Sequence, residues 1–148
     1  MTRQGEAEGM PGGHPVAAHV LVVEDEPSIA EAVRFLLTRA GHQVTVLGDG
    51  AAAVAALAAR PADLLVLDLM LPGLSGLEIL RALRARPETT TMPVMMLTAR
   101  GQDRDRAAAE LAGADLFMAK PFSNAEFLQA AQRLLARGPA ADRGAVGA

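Results

Sequence analysis

Five short apolar runs punctuate the chain, and between them apolar residues recur at helical spacing. Val20-Leu21-Val22-Val23, the stretch from Gln43 to Leu47, Leu64-Leu65-Val66-Leu67, Val94-Met95-Met96-Leu97 and Leu116-Phe117-Met118-Ala119 have the length of strands. The third and fourth runs are nearly all apolar, as expected of strands covered by helices on both faces. The pattern predicts strands over 19–24, 43–47, 63–68, 93–98 and 115–119.

The intervening segments read as helices with recognisable ends. Pro27 opens the first, which carries Ile29, Val33, Leu36, Leu37 and Ala40 on one face and has Gly41 just past it. Asp49 is a candidate N-cap for an alanine-rich second helix, and Pro61 lies beyond its end. Ser75-Gly76-Leu77-Glu78 has capping-box spacing ahead of Ile79, Leu80 and Leu83. A fourth helix is predicted from 103 to 112, with Gly113 as its stop. Ser123-Asn124-Ala125-Glu126 opens a fifth, with Phe127, Leu128, Ala131, Leu134 and Leu135 on its apolar side and Gly138 at its end. Five strand–helix units with right-handed crossovers imply an α/β fold: a doubly wound, five-stranded parallel sheet flanked by five helices. Periodicity alone does not give the strand order.

Composition narrows the class. At 148 residues the chain is one domain's worth. Its 51% hydrophobic content owes much to alanine, and no apolar run approaches the roughly 20 residues that span a bilayer. There is no cysteine, which excludes disulfides and thiolate metal sites. The net charge of −3 and the absence of Trp and Tyr argue against a broad nucleic-acid footprint. The glycine- and proline-bearing segment 1–17 and the stretch 138–148 are expected to be flexible tails around an ordered unit over 18–137. No secretory signal is visible in the first residues. The plain expectation is a cytoplasmic protein with neither a membrane nor nucleic acid as partner.

The chemistry collects at the strand ends. The first run leads into Glu24 and Asp25, the third into Asp68, the fourth into Thr98 and the fifth into Lys120. In open parallel sheets the carboxyl ends of the strands border the ligand crevice. Glu24, Asp25 and Asp68 would repel one another there, and Lys120 alone cannot neutralise them. A hard cation such as Mg²⁺ takes oxygen ligands and keeps several waters, which suits this set. Asp68 is followed by the short loop Leu69-Met70-Leu71-Pro72-Gly73, which should leave its carboxylate accessible. A carboxylate can act as a nucleophile and form an aspartyl-phosphate. Phosphoryl transfer then needs mainly alignment and charge stabilisation, for which Mg²⁺, Lys120 and the Thr98 hydroxyl are suited.

Leu21-Val22-Val23-Glu24-Asp25-Glu26-Pro27, Leu67-Asp68-Leu69-Met70-Leu71-Pro72-Gly73-Leu74-Ser75-Gly76, Leu97-Thr98-Ala99 and Lys120-Pro121-Phe122 together resemble the receiver domain of two-component response regulators, over roughly residues 18–137. The resemblance implies the flavodoxin-like strand order 2-1-3-4-5. It implies that Asp68 accepts a phosphoryl group from a histidine kinase or histidine phosphotransfer protein. Glu24, Asp25, Asp68 and the backbone carbonyl of Met70 would ligate Mg²⁺. Lys120 would pair with the phosphoryl group, Thr98 would move towards it, and Phe117 would be the switch aromatic that turns inward. It also implies a cis peptide between Lys120 and Pro121. Met70 and Arg100, two residues beyond Asp68 and Thr98, occupy positions that flank the attacking water in the family. Met70 would restrict water and Arg100 attract phosphate.

The chain ends soon after the fifth helix, so the expectation is a stand-alone receiver that acts by binding a downstream protein target. It would be a phosphoacceptor regulatory domain rather than an enzyme, although its own residues would promote phosphoryl uptake and loss. Arg104, Arg106, Asp115, Glu126 and Gln129 are candidate output contacts, and the face of Ile29 and Val33 is the expected kinase dock. Phosphorylation-dependent dimerisation stays open. Three rival readings are a receiver-like interaction module without phosphoryl turnover, an aspartyl-nucleophile phosphohydrolase and a flavodoxin-like cofactor binder. The intact Asp68, Thr98 and Lys120 argue against the first. Met70 stands where the second would need its second acid. The acidic loop 24–26 would repel the phosphate of the third. His14, His19 and His42 show no ligand spacing.

Overall fold

The computed structural model describes residues 17–99 and 103–139. Arg100 and most of both expected tails lie outside them. Five parallel strands, β1 (His19–Val23), β2 (Gln43–Leu47), β3 (Leu64–Asp68), β4 (Val94–Ala99) and β5 (Leu116–Lys120), form one sheet in the order β2-β1-β3-β4-β5. They alternate with α1 (Pro27–Arg39), α2 (Gly50–Ala59), α3 (Gly76–Arg84), α4 (Asp103–Ala112) and α5 (Asn124–Arg137).

The strand period of two divides the core between the two faces of the sheet. Leu21, Val23, Leu65, Leu67, Val94 and Met96 point to one face, where Ala53 and Leu57 of α2, Ile79, Leu80 and Leu83 of α3 and Ala109 of α4 cover them. Val20, Val22, Leu64, Val66, Met95 and Leu97 point to the other, under Val33 and Leu37 of α1 and Phe127, Ala131 and Leu134 of α5. Double coverage is why β3 is buried along its whole length.

The helix ends follow the sequence signals. Asp49 accepts a hydrogen bond from Ala51 N–H at 2.9 Å. Ser75 and Ser123 both close full capping boxes, with Glu78 and Glu126. Gly41, Gly113 and Gly138, which follow α1, α4 and α5, have positive φ, the left-handed backbone that glycine adopts without strain. Observed strand ends differ from the expected ones by one residue: Glu24 falls just outside β1, and Lys120 falls inside β5.

The end of the sheet opposite the acidic strand ends is tied by a buried ion-pair cluster. Arg84, at the end of α3, donates to Gly113 O, Thr89 O and Thr90 O and pairs with Asp115 at 3.1 Å. Asp115 also accepts from Val94 N–H and pairs with Arg137 of α5. Its side chain is only 5% exposed. Asp115 is therefore not an output contact as the sequence suggested: the guanidinium groups of Arg84 and Arg137 and the Val94 N–H hold its carboxylate inside. His42 is likewise buried, and its Nδ1 accepts from Ala18 N–H at 3.1 Å.

Candidate functional site

Each strand brings its terminal polar residue to the same rim because the register aligns the strand ends. Val23 pairs with Leu67, Asp68 with Leu97, and Ala99 with Lys120. Glu24 N–H donates to Leu47 O at 3.0 Å, which extends the ladder by one bond and fixes the direction of its side chain. Leu69 N–H donates to Leu97 O at 2.9 Å and does the same immediately after Asp68. The start of α3 packs against this turn, where Gly76 N–H bonds Leu69 O at 3.0 Å. A Cβ on Gly76 would stand 2.8 Å from Leu69 Cα and 3.1 Å from the Asp68 carbonyl carbon. Only a residue without a side chain lets α3 approach the end of β3 at Asp68 this closely.

Asp68 is 4% exposed and Glu24 2%, whereas Asp25 is open to solvent. One oxygen of each of the three carboxylates lies within 4.8 Å of the others. Asp68 Oδ1 accepts from Met70 N–H at 3.1 Å, and Oδ2 accepts from Lys120 Nζ at 3.2 Å. The same ammonium lies 2.9 Å from Glu24 Oε1 and 3.8 Å from Glu26 Oε1. Glu24 Oε2 accepts from Glu26 N–H, while Glu24 Oε1 has no aligned hydrogen bond despite its burial. The Lys120–Pro121 peptide is cis, as the resemblance implied.

Burial pushes the pKa of Glu24 above the ordinary carboxylate value; Lys120 and the Glu26 N–H oppose the rise, and Asp68 adds to it. Burial acts to lower the Lys120 value, but the carboxylates of Glu24 and Asp68 outweigh it and hold the ammonium above its usual range. One ammonium thus sits among more negative charge than it can balance. An incompletely bonded buried oxygen, a second buried acid and an exposed third are hard donors of the kind a small divalent cation takes. The residues present fit Mg²⁺.

The remaining expected residues lie around this cluster. Thr98 is 3% exposed at the end of β4, one position past the Leu97 partner of Asp68. Met70 reaches the site through its backbone, and the residue is 57% exposed. Phe117 is half-buried against the core face shared with α4, and the Arg106 guanidinium lies 4.8 Å from the centre of its ring. Sequence reasoning missed the resting contacts of Lys120 with Glu24 and Glu26. The acidic run 24–26 contained the signal, but the reach of one lysine to two of its members depends on how the strand ends meet.

The family model described as "response regulator receiver domain" matches residues 20–132. The sensory transduction protein RegX3 of Mycolicibacterium smegmatis is 43% identical over 119 residues, covering 80% of this chain and 51% of that protein. The phosphate regulon transcriptional regulatory protein PhoB of Rhizobium meliloti is 42% identical over 118 residues, covering 80% of this chain and 52% of that one. The chain spans about half the length of the curated relatives it matches. The receiver domain of the sensor histidine kinase PA1611 from Pseudomonas aeruginosa, a crystal structure with a magnesium ion coordinated in its active-site cleft, superposes with a TM-score of 0.75 at 32% identity. That match covers 81% of this chain and 98% of the other. The expectations of a stand-alone unit and of no nucleic-acid partner gain nothing from these relatives, one of which is named a transcriptional regulator.

Proposed function

Because this chain belongs to the response regulator receiver domain family, we propose that Asp68 is its phosphoacceptor and that its occupancy switches partner binding. The observation that carries this reading is the Asp68 carboxylate itself. It is buried at a strand end, held by the Met70 N–H on one oxygen and by Lys120 on the other, and shares its pocket with Glu24 and Asp25. Held in this way it has one orientation, which is the condition for in-line attack on phosphorus.

The donor is a phosphohistidine of a histidine kinase or phosphotransfer protein. An Asp68 oxygen forms the new P–O bond as the P–N bond breaks, and the imidazole leaves with the electron pair. Glu24, Asp25, Asp68 and the Met70 carbonyl would hold Mg²⁺, which when bound supplies positive charge to the phosphoryl oxygens. Lys120 already contacts Asp68 and needs little movement to balance the incoming charge. The Thr98 hydroxyl stands at the neighbouring strand end as a donor for the phosphoryl group, and Phe117 follows by turning inward past Arg106. That coupling would alter the face built by α4, β5 and α5, where a downstream protein reads the state. No helix among the described residues is long and apolar enough to cross a membrane. The same reading places the domain in the cytoplasm.

Incubation with a small acyl-phosphate donor and Mg²⁺, followed by intact mass, tests the proposal. Wild type is expected to gain one phosphoryl group and Asp68→Asn none. Uptake by Asp68→Asn equal to wild type would overturn it.

A further inference from the structure

We propose that Met70 is an oxidisable residue through which peroxides shorten the lifetime of the phosphoryl group on Asp68. The inference rests on the phosphoacceptor reading of Asp68. The chain has no cysteine, so thioethers are its softest sulfur nucleophiles. Among the described methionines, Met92 is 4% exposed and Met95 and Met96 are fully buried, while Met118 packs half-buried against the core. Met70, at 57%, stands apart. Its backbone is also bound to the acceptor, since its N–H donates to Asp68 Oδ1. Among the described methionines, the most exposed is thus the one anchored through its backbone on the Asp68 carboxylate.

The step is a two-electron transfer. A sulfur lone pair attacks one peroxide oxygen, the O–O bond breaks, and the departing hydroxide takes the proton of the new S–OH group and leaves as water. The sulfur is oxidised and the peroxide reduced. The product sulfoxide replaces a flexible apolar side chain with a polar, chiral one. A thioether two residues past Asp68 offers water almost no hydrogen bond, whereas a sulfoxide oxygen accepts one well. Hydrolysis of an aspartyl-phosphate requires a water aligned on phosphorus, and an acceptor that holds it there lowers the barrier. The expected shortening is roughly three- to tenfold, the rate equivalent of one net hydrogen bond.

The test treats native protein with hydrogen peroxide and maps oxidation by peptide mass. Acyl phosphate and Mg²⁺ then load the protein, and phosphoryl loss is followed by intact mass. Met70 is expected to convert ahead of Met92, Met95, Met96 and Met118, and the half-life to fall in step with its conversion. Methionine sulfoxide reductase should restore it. Met70→Leu, compared with its own untreated sample, should show no peroxide effect, which separates Met70 from Met1 and Met10. Slow conversion of Met70, an unchanged half-life once it is converted, or an equal peroxide effect in Met70→Leu would overturn the proposal. Failure of untreated protein to take up phosphoryl would instead sink the reading of Asp68, and the oxidation map distinguishes the two.

Discussion

Gly76→Ala separates what the helix prefers from what the site requires. Gly76 is the first residue of α3 and is buried, and its φ lies outside the left-handed region. Helix propensity alone therefore predicts a gain of up to about 1 kcal/mol for alanine. Packing predicts the opposite. The new Cβ would collide first with the Asp68 carbonyl oxygen, and would meet Leu69 Cα at 2.8 Å and the Asp68 carbonyl carbon at 3.1 Å, all backbone atoms that cannot rotate away. Unstrained carbon contacts lie at about 3.5–4.0 Å, so α3 and the Asp68 turn must separate by roughly 0.5–1 Å. Overpacking of this kind costs about 1–3 kcal/mol, which outweighs the propensity gain. A net loss of about 1–2 kcal/mol lowers Tm by roughly 3–10 °C in a domain of this size. The displaced segment carries Asp68, the proposed acceptor, so phosphorylation by acyl phosphate should slow about 10- to 100-fold. Gly48→Ala is the control, because its Cβ would meet its nearest atoms at 3.8 and 3.9 Å. Thermal unfolding and the rate of mass gain read both effects. A Gly76→Ala protein with wild-type Tm and rate would refute the packing argument. A lowered Tm with an unchanged rate would refute the positioning argument alone.

Asp115→Ala should lower unfolding free energy by about 3–5 kcal/mol in urea titration, since it leaves the Arg84 guanidinium, 8% exposed, without its carboxylate; a loss below about 1 kcal/mol would show that the carbonyls around Arg84 suffice. Burial holds His42 below the ordinary histidine value of 6.5, with Asp63 opposing. The unfolded chain then takes up this proton first, so the contribution is complete above pH 6.5 and is lost as pH falls through the depressed folded value. His42→Asn keeps an acceptor for Ala18 N–H and cannot titrate, so it should flatten stability against pH in that window; an unchanged slope would exclude His42 as its source. Asp25→Ala should raise Tm without Mg²⁺ by relieving carboxylate repulsion and abolish the Mg²⁺-induced rise. A variant that still gains Tm with Mg²⁺ as wild type does would remove Asp25 from the metal site.

The strands and helix caps were legible because each depends on a local signal. Asp49, Ser75 and Ser123 cap their helices through bonds to residues two or three positions away. Glu24, Asp25 and Asp68 could be grouped because parallel strands deliver their carboxyl ends to one rim. Strand order came from the resemblance and not from periodicity, which carries no information about which strands are neighbours. The inner face of α2 was obscured by alanine on every side, although only Ala53, Leu57 and Gly50 are buried. Asp115 looked like a surface acid because its partners, Arg84 and Arg137, lie 31 and 22 positions away. The hold of Lys120 on Glu24 was hidden for the same reason.

Of the five helices, α4 commits least to the interior: Ala109 alone is fully enclosed, and Leu111 is 91% exposed. Sliding it sideways forfeits the shelter of the Ala109 methyl and part of that of Ala112, on the order of 1–2 kcal/mol. The sheet beneath it need not rearrange. A chemical event worth a few kcal/mol at the rim therefore has a cheap moving part within reach, and the economy of the switch lies in how lightly that helix is moored.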